Sequence, residues 1–99
     1  MIYTIDEIKE KLLPIFESVP IKRAILFGSY ARNEQTAKSD VDIVIDSEGK
    51  IRGLDFFGVL GDITDSLEKR VDLIEKYQIK EDSPFERTIN SEGVILYER

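Results

Sequence analysis

The chain has 99 residues, of which 41% are hydrophobic and 34% are charged, and its formal net charge is −6. This length and composition predict one soluble folded domain, residues 1–99, and exclude a disordered chain. No apolar run is long enough to span a membrane, and the negative charge argues against direct nucleic-acid binding, which depends on neutralisation of phosphates by Lys and Arg.

Cysteine and histidine are both absent from the sequence. Without cysteine there is no disulfide framework, and the N-terminus lacks the order of a signal peptide, so a cytoplasmic location is expected. Without histidine, Ser-His or Cys-His catalysis and imidazole zinc sites are excluded. Any chemistry must therefore use carboxylates, hydroxyls, Lys, Arg or a bound metal.

The first segment, Thr4 to Val19, has apolar residues at helical spacing and predicts an amphipathic helix. Thr4 and Glu7 have the spacing of a capping box. Pro14 lies inside this segment and is expected to kink or split the helix, because proline removes a backbone donor.

Two apolar runs follow, at residues 21–27 and 41–46, and each predicts a strand. Between them, Gly28-Ser29 predicts a turn, and Tyr30 to about Asn33 a short helix. Along the second run, alternation of side chains places Asp40, Asp42 and Val44 on one face.

The second half of the chain predicts two helices and two strands. The longer helix, Leu54 to Glu68, has an expected inner stripe of Phe56, Phe57, Leu60, Ile63, Thr64 and Leu67. The other predicted elements are a strand at residues 70–74, a helix from Pro84 to about Asn90 capped by Ser83, and a closing strand at residues 94–97. The fold class is therefore α/β (α+β), a small mixed sheet of about four strands with helices packed on it.

Gly28 and Ser29 lie where the first strand is expected to turn into a helix. Glycine allows close approach of the backbone to a ligand, and backbone N–H groups with a serine hydroxyl can bind phosphate. For an isolated Gly-Ser pair, an ordinary turn is the commoner explanation.

Asp40 and Asp42 enter the second strand as a D-x-D pair. Two carboxylates on one face can bind a pair of Mg²⁺ ions of the kind used for displacement at phosphorus. The alternative is a solvated strand end or an Asx turn.

Asp72 lies among the apolar residues of the third strand, in the segment RVDLI. Aspartate is depleted in strands, so this position needs an explanation: a third metal ligand, or an ion-pair partner of Arg70. Taken together, the three features indicate a site for a nucleoside triphosphate and a divalent metal.

Gly28-Ser29, ten further residues and Asp40-Val41-Asp42 match the G-S-x10-D-x-D signature of the nucleotidyltransferase superfamily related to DNA polymerase beta. The longer form, GSYAR with SDVD, resembles the minimal nucleotidyltransferases (MNT proteins). RVDLI and the closing PFERTINSEGVILYE are also similar to that branch, so the resemblance covers nearly the whole chain.

The resemblance implies roles for the matching residues. Gly28 and Ser29 would hold the triphosphate of ATP, the substrate, while Asp40 and Asp42 would bind both Mg²⁺ ions. Asp72 would complete the shell of the first metal and assist deprotonation of the acceptor hydroxyl. Arg32 would either contact phosphate or form a structural ion pair with a nearby acid.

The resemblance also implies a partner. Larger relatives carry a further domain for the acceptor, so the acceptor of this chain is expected on another protein, a small helical HEPN ribonuclease toxin. The chain would act as its antitoxin by transferring AMP to a tyrosine of the toxin. Two alternatives stay open: a non-catalytic antitoxin that masks its partner, and a nucleotidyltransferase for another acceptor such as an antibiotic.

Overall fold

The structure is a computed structural model that describes residues 2–99. Four strands alternate with four α-helices and one short 3₁₀ turn along the described part of the chain. The elements are α1 (Ile5–Ser18), β1 (Arg23–Phe27), α2 (Gly28–Ala31), β2 (Val41–Asp46), α3 (Leu54–Leu67), β3 (Val71–Glu75), the 3₁₀ turn (Lys76–Gln78), α4 (Pro84–Glu92) and β4 (Val94–Glu98).

The four strands form one mixed sheet in the order β3-β2-β1-β4. β1 is antiparallel to both of its neighbours, and β2 is parallel to β3. A parallel pair needs a long crossover connection, and α3 provides it between β2 and β3. The predicted mixed sheet of four strands with helices packed on it is confirmed.

One face of the sheet carries the main core. Val41, Ile43 and Ile45 point to this face and are fully buried, together with apolar residues of α1 and α3. The opposite face carries Asp42 and Val44, as the alternation predicted. Val44 is also buried, because α4 packs on that face and places Ile89 near it.

Helix α1 is continuous through Pro14, so the expected split does not occur. The capping box of Thr4 and Glu7 is present, which satisfies two backbone donors at the start of the helix. Leu12 and Phe16 are fully buried on either side of the proline. Packing of this face holds the helix together. Pro14 itself is exposed, so the backbone carbonyl that lacks a donor because of the proline is on the solvent side of the helix.

One prediction for helix α3 is wrong: Phe57 is 65% exposed and does not belong to the inner stripe. Val59, Ile63 and Leu67 are the buried residues of this helix, with Phe56 and Leu60 partly buried against the core. Phe57 lies about 100° around the helix from Phe56, which carries it off the packed face. Gly28 and Ser29, predicted as a turn, instead begin helix α2. The bounds of the other predicted elements agree with the structure to within two residues at either end.

Candidate active site

The sheet brings Asp42 and Asp72 together from two parts of the chain. They are direct partners in the parallel register of β2 and β3. Asp40 precedes β2, and its side chain is exposed. On the other side of Asp42, the register partner is Phe27, the last residue of β1. The site therefore lies where β1 ends and where β2 and β3 begin.

The pKa of Asp42 is affected by burial and by the charges around it. Burial raises the pKa of its carboxyl above the usual value, and the negative charges of Asp72 and Asp40 raise it further. Arg32 acts in the opposite direction and lowers this pKa, but it does not cancel the other effects. The raised pKa means that ionised Asp42 lies in an environment that favours an added positive charge.

Gly28, the first residue of α2, lies against this carboxylate. Its φ is +73°, a left-handed conformation that residues with a side chain rarely adopt. A Cβ atom built on Gly28 would overlap Oδ2 of Asp42. The absence of a side chain at Gly28 thus leaves room for the Asp42 carboxylate beside the start of α2.

The acids of the candidate site do not form a three-ligand metal cage. Among residues 2–99, no group of three His, Cys, Asp or Glu side chains is placed to hold one metal ion. Mg²⁺ usually binds through one or two carboxylates and completes its shell with water and substrate phosphates. Asp42 and Asp72 are a pair of carboxylates, the number that such a Mg²⁺ site uses, and Asp40 does not complete a three-acid group with them.

Arg32 lies at the edge of the site, just after α2. Its guanidinium forms an ion pair with Glu34 at 3.1 Å and approaches Glu92 at 3.9 Å. Its side chain is 42% exposed, so each pair contributes little to stability. The ion pairs match one of the two roles considered for Arg32, and its effect on the pKa of Asp42 shows that its charge also reaches the site.

Two features near the sheet were not predicted from the sequence. Phe27, the last residue of the predicted first strand, contacts Phe85 of α4 on the face that carries Asp42. A cavity of about 650 Å³ also opens at the opposite end of β2, where Asp46, Glu75 and Lys76 are among its lining residues. None of the three candidate acids lines that cavity, so it lies apart from the candidate active site.

Among the described residues, no helix has both the length and the apolar character needed to cross a membrane.

Comparison with protein families gives a match over most of the chain. Residues 10–99 match the family described as "Polymerase beta, Nucleotidyltransferase". Two proteins of Methanocaldococcus jannaschii, each named "Putative protein adenylyltransferase", are among the similar curated relatives. One is 45% identical over 71% of this chain and 75% of its own length. The other is 44% identical over 77% of this chain and 82% of its own length.

Solved structures show the same fold at lower sequence identity. A crystal structure of a toxin–antitoxin with AMP-PNP superposes with a TM-score of 0.78 at 18% identity, covering 92% of this chain and 73% of that one. A structure of the tri-AMPylated Shewanella oneidensis HEPN toxin in complex with MNT antitoxin gives a TM-score of 0.72 at 16% identity, covering 96% of this chain and 73% of that one. At these identities the likeness concerns the fold alone.

Proposed function

The chain belongs to the polymerase beta nucleotidyltransferase family, and on that premise we propose that it transfers AMP from ATP to a hydroxyl group in a Mg²⁺-dependent reaction. The observation that supports this proposal most directly is the register pairing of Asp42 with Asp72 beside Gly28, whose backbone is left-handed. Family membership supports the class of reaction, and this geometry supports the position of the site.

Each residue of the candidate site would have its own role in the reaction. The start of α2 at Gly28 and Ser29 would hold the triphosphate. Asp40, Asp42 and Asp72 would bind the Mg²⁺ ions, with water and substrate phosphates completing the shell of each ion. Arg32 would add positive charge at the edge of the site. When bound, Mg²⁺ supplies charge neutralisation at the α-phosphate and lowers the pKa of the attacking hydroxyl.

In the transfer itself, the acceptor oxygen forms a bond to the α-phosphorus. The bond from that phosphorus to the oxygen bridging to the β-phosphate breaks, and pyrophosphate leaves with the bonding electrons. The hydroxyl proton passes to the Asp72 carboxylate, which is exposed, and from there to solvent.

The acceptor would be a tyrosine of a HEPN-family toxin, and the chain would be its antitoxin. This step is supported by the names of the structural relatives, one of which is an AMPylated HEPN toxin in complex with MNT antitoxin. ATP as the nucleotide is supported by the adenylyltransferase names of the curated relatives and by the AMP-PNP complex of a structural relative.

A second candidate function is neutralisation of the partner by masking alone. The net charge of −6 favours it, since an acidic surface can cover a basic RNA-binding cleft. In cells that express the toxin, full rescue by Asp40→Asn/Asp42→Asn would mean that masking is sufficient, whereas loss of rescue would require catalysis.

The test of transfer is to incubate the purified toxin with ATP labelled in the α-phosphate and Mg²⁺. The wild-type chain is expected to label the toxin, and Asp40→Asn/Asp42→Asn to leave it unlabelled. Asp62→Asn/Asp65→Asn is the matched control, because it removes the same charge from exposed positions of α3. Equal labelling by the wild type and by Asp40→Asn/Asp42→Asn would overturn the proposal.

A further inference from the structure

An aromatic pair lies beside the candidate active site. The ring centroids of Phe27 and Phe85 are 5.4 Å apart, and the rings meet edge to face at 79°. Phe27 ends β1, and Phe85 lies in the first turn of α4. The contact therefore joins the sheet to the helix that covers its second face.

The position of this pair follows from the sheet register. Phe27 and Asp42 are direct partners in the antiparallel pair of β1 and β2. Side chains of direct partners project to the same face, with Cβ atoms about 5 Å apart. Phe27 is therefore adjacent to the Asp42 carboxylate, and Phe85 is one side chain further away.

Phe85 is only partly buried by its packing contacts. It is 37% exposed, whereas Ile89, one turn later on α4, is 5% exposed. The edge-to-face contact with Phe27 fixes the position of the Phe85 ring while part of the side chain remains open to solvent. An accessible ring held in place beside a charged site can receive a flat ligand.

We propose that Phe85, supported by Phe27, forms a stacking surface for the nucleobase of the triphosphate, preferably a purine. This inference rests on the proposed function, because it assumes that the phosphates lie at Gly28, Ser29 and Asp42. Every base presents a π-face, and a purine offers a larger stacking area than a pyrimidine. Phe85 would thus strengthen binding of ATP without contacting its phosphates.

The experiment separates binding of the base from binding of the phosphates. The affinities of Mg-ATP and Mg-tripolyphosphate, which has no base, are measured by calorimetry for the wild type, Phe85→Ala and Phe85→Leu. Phe85→Leu retains an apolar contact with Phe27 but removes the π-face. Phe57→Ala is the matched control, since it removes an exposed phenylalanine from α3, which packs on the other face of the sheet.

For Phe85→Ala and Phe85→Leu, the Kd for Mg-ATP is expected to rise about tenfold, while that for Mg-tripolyphosphate stays unchanged. Phe57→Ala should alter neither value. If the wild type binds Mg-ATP and both Phe85 variants bind it equally well, or if both ligands weaken together, the stacking surface is overturned and the proposed function stands. If the wild type binds neither ligand, the proposed function fails and the stacking surface with it.

Discussion

At the scale of single residues, Gly28 and Asp42 depend on each other. The antiparallel register pairs Phe27 with Asp42, so the residue after Phe27 turns directly over that carboxylate. A left-handed backbone at φ +73° lets the chain turn there, and the missing side chain leaves room for Oδ2 of Asp42. The two ends of the G-S-x10-D-x-D motif are thus one structural unit, which explains physically why the motif needs both.

This unit was only partly predictable from the sequence. The residue types and the alternation along the second strand identified Gly28, Asp40 and Asp42 as candidates. The pairing of Asp42 with Asp72 depends on a parallel register reached through α3, and no local pattern encodes that register. The contact between Phe27 and Phe85 was missed for the same reason, because it joins residues 58 positions apart.

The raised pKa of Asp42 predicts how its charge affects stability when no metal is bound. The pKa in the folded chain lies above the ordinary value of 3.8, so the folded state binds more protons than the unfolded state in the window above 3.8. The contribution of Asp42 to the free energy of unfolding therefore falls as pH rises through this window. Asp42→Asn removes the repelled charge and should raise the Tm at pH 7 in EDTA.

The measurement is the difference in Tm between the wild type and Asp42→Asn from pH 7 down to pH 4. The difference should shrink on acidification, because protonated Asp42 resembles asparagine in charge. Asp62→Asn, at an exposed position of α3, controls for the general loss of one negative charge. If the wild type were more stable than Asp42→Asn at pH 7 without metal, the charge of Asp42 would not be repelled in the folded chain.

At the scale of elements, helix α1 shows that packing outweighs a local conflict. Its apolar face buries Ile8, Leu12 and Phe16 completely, and its capping box satisfies the first turn. The amphipathic pattern and the cap were both visible in the sequence. The continuity through Pro14 was not, because it is decided by contacts with the sheet and with α3.

Pro14→Ala should stabilise the chain by about 1–2 kcal/mol. An interior proline costs a helix about 3 kcal/mol relative to alanine, and the greater freedom of the unfolded alanine chain offsets part of that gain. Pro14 is exposed, so the substitution removes little packing. The free energy of unfolding in urea measures the effect.

Lys9→Ala is the control for this helix, because it is exposed and introduces alanine without removing a proline. Its effect should stay below about 0.5 kcal/mol. Destabilisation by Pro14→Ala would mean that the proline is part of the packing arrangement and is not a tolerated defect.

The elements that were hardest to predict are short or depend on the face to which they pack. The 3₁₀ turn at Lys76–Gln78 spans 3 residues and has no periodic pattern. Phe57 follows Phe56 directly, and the structure shows that only Phe56 packs against the core. The sequence analysis placed both in the inner stripe, because residue type alone does not distinguish them. A strict helical spacing from Phe56 includes Leu60, Ile63 and Leu67 and leaves out Phe57.

At the scale of the whole molecule, the candidate site places like charges together at one end of a small sheet. A chain of 99 residues has a small core, so relief of this repulsion should affect global unfolding measurably. A ligand that binds only the folded state stabilises it by RT ln(1 + [L]/Kd), which is about 1.4 kcal/mol at ten times the Kd.

Mg²⁺ is therefore expected to raise the Tm by about 5 °C or more at ten times its Kd, in buffers of matched ionic strength. Mg²⁺ and ATP together should raise the Tm by more than the sum of the shifts that each gives alone, because substrate phosphates complete the coordination of the ion. Asp40→Asn/Asp42→Asn should abolish both shifts, while Asp62→Asn/Asp65→Asn should keep them. Since two of the three acids are register partners on adjacent strands, binding ties β2 to β3 and resists unfolding of the whole sheet. A Tm of the wild type that does not respond to Mg²⁺ and ATP would mean that the crowded acids are not a metal site.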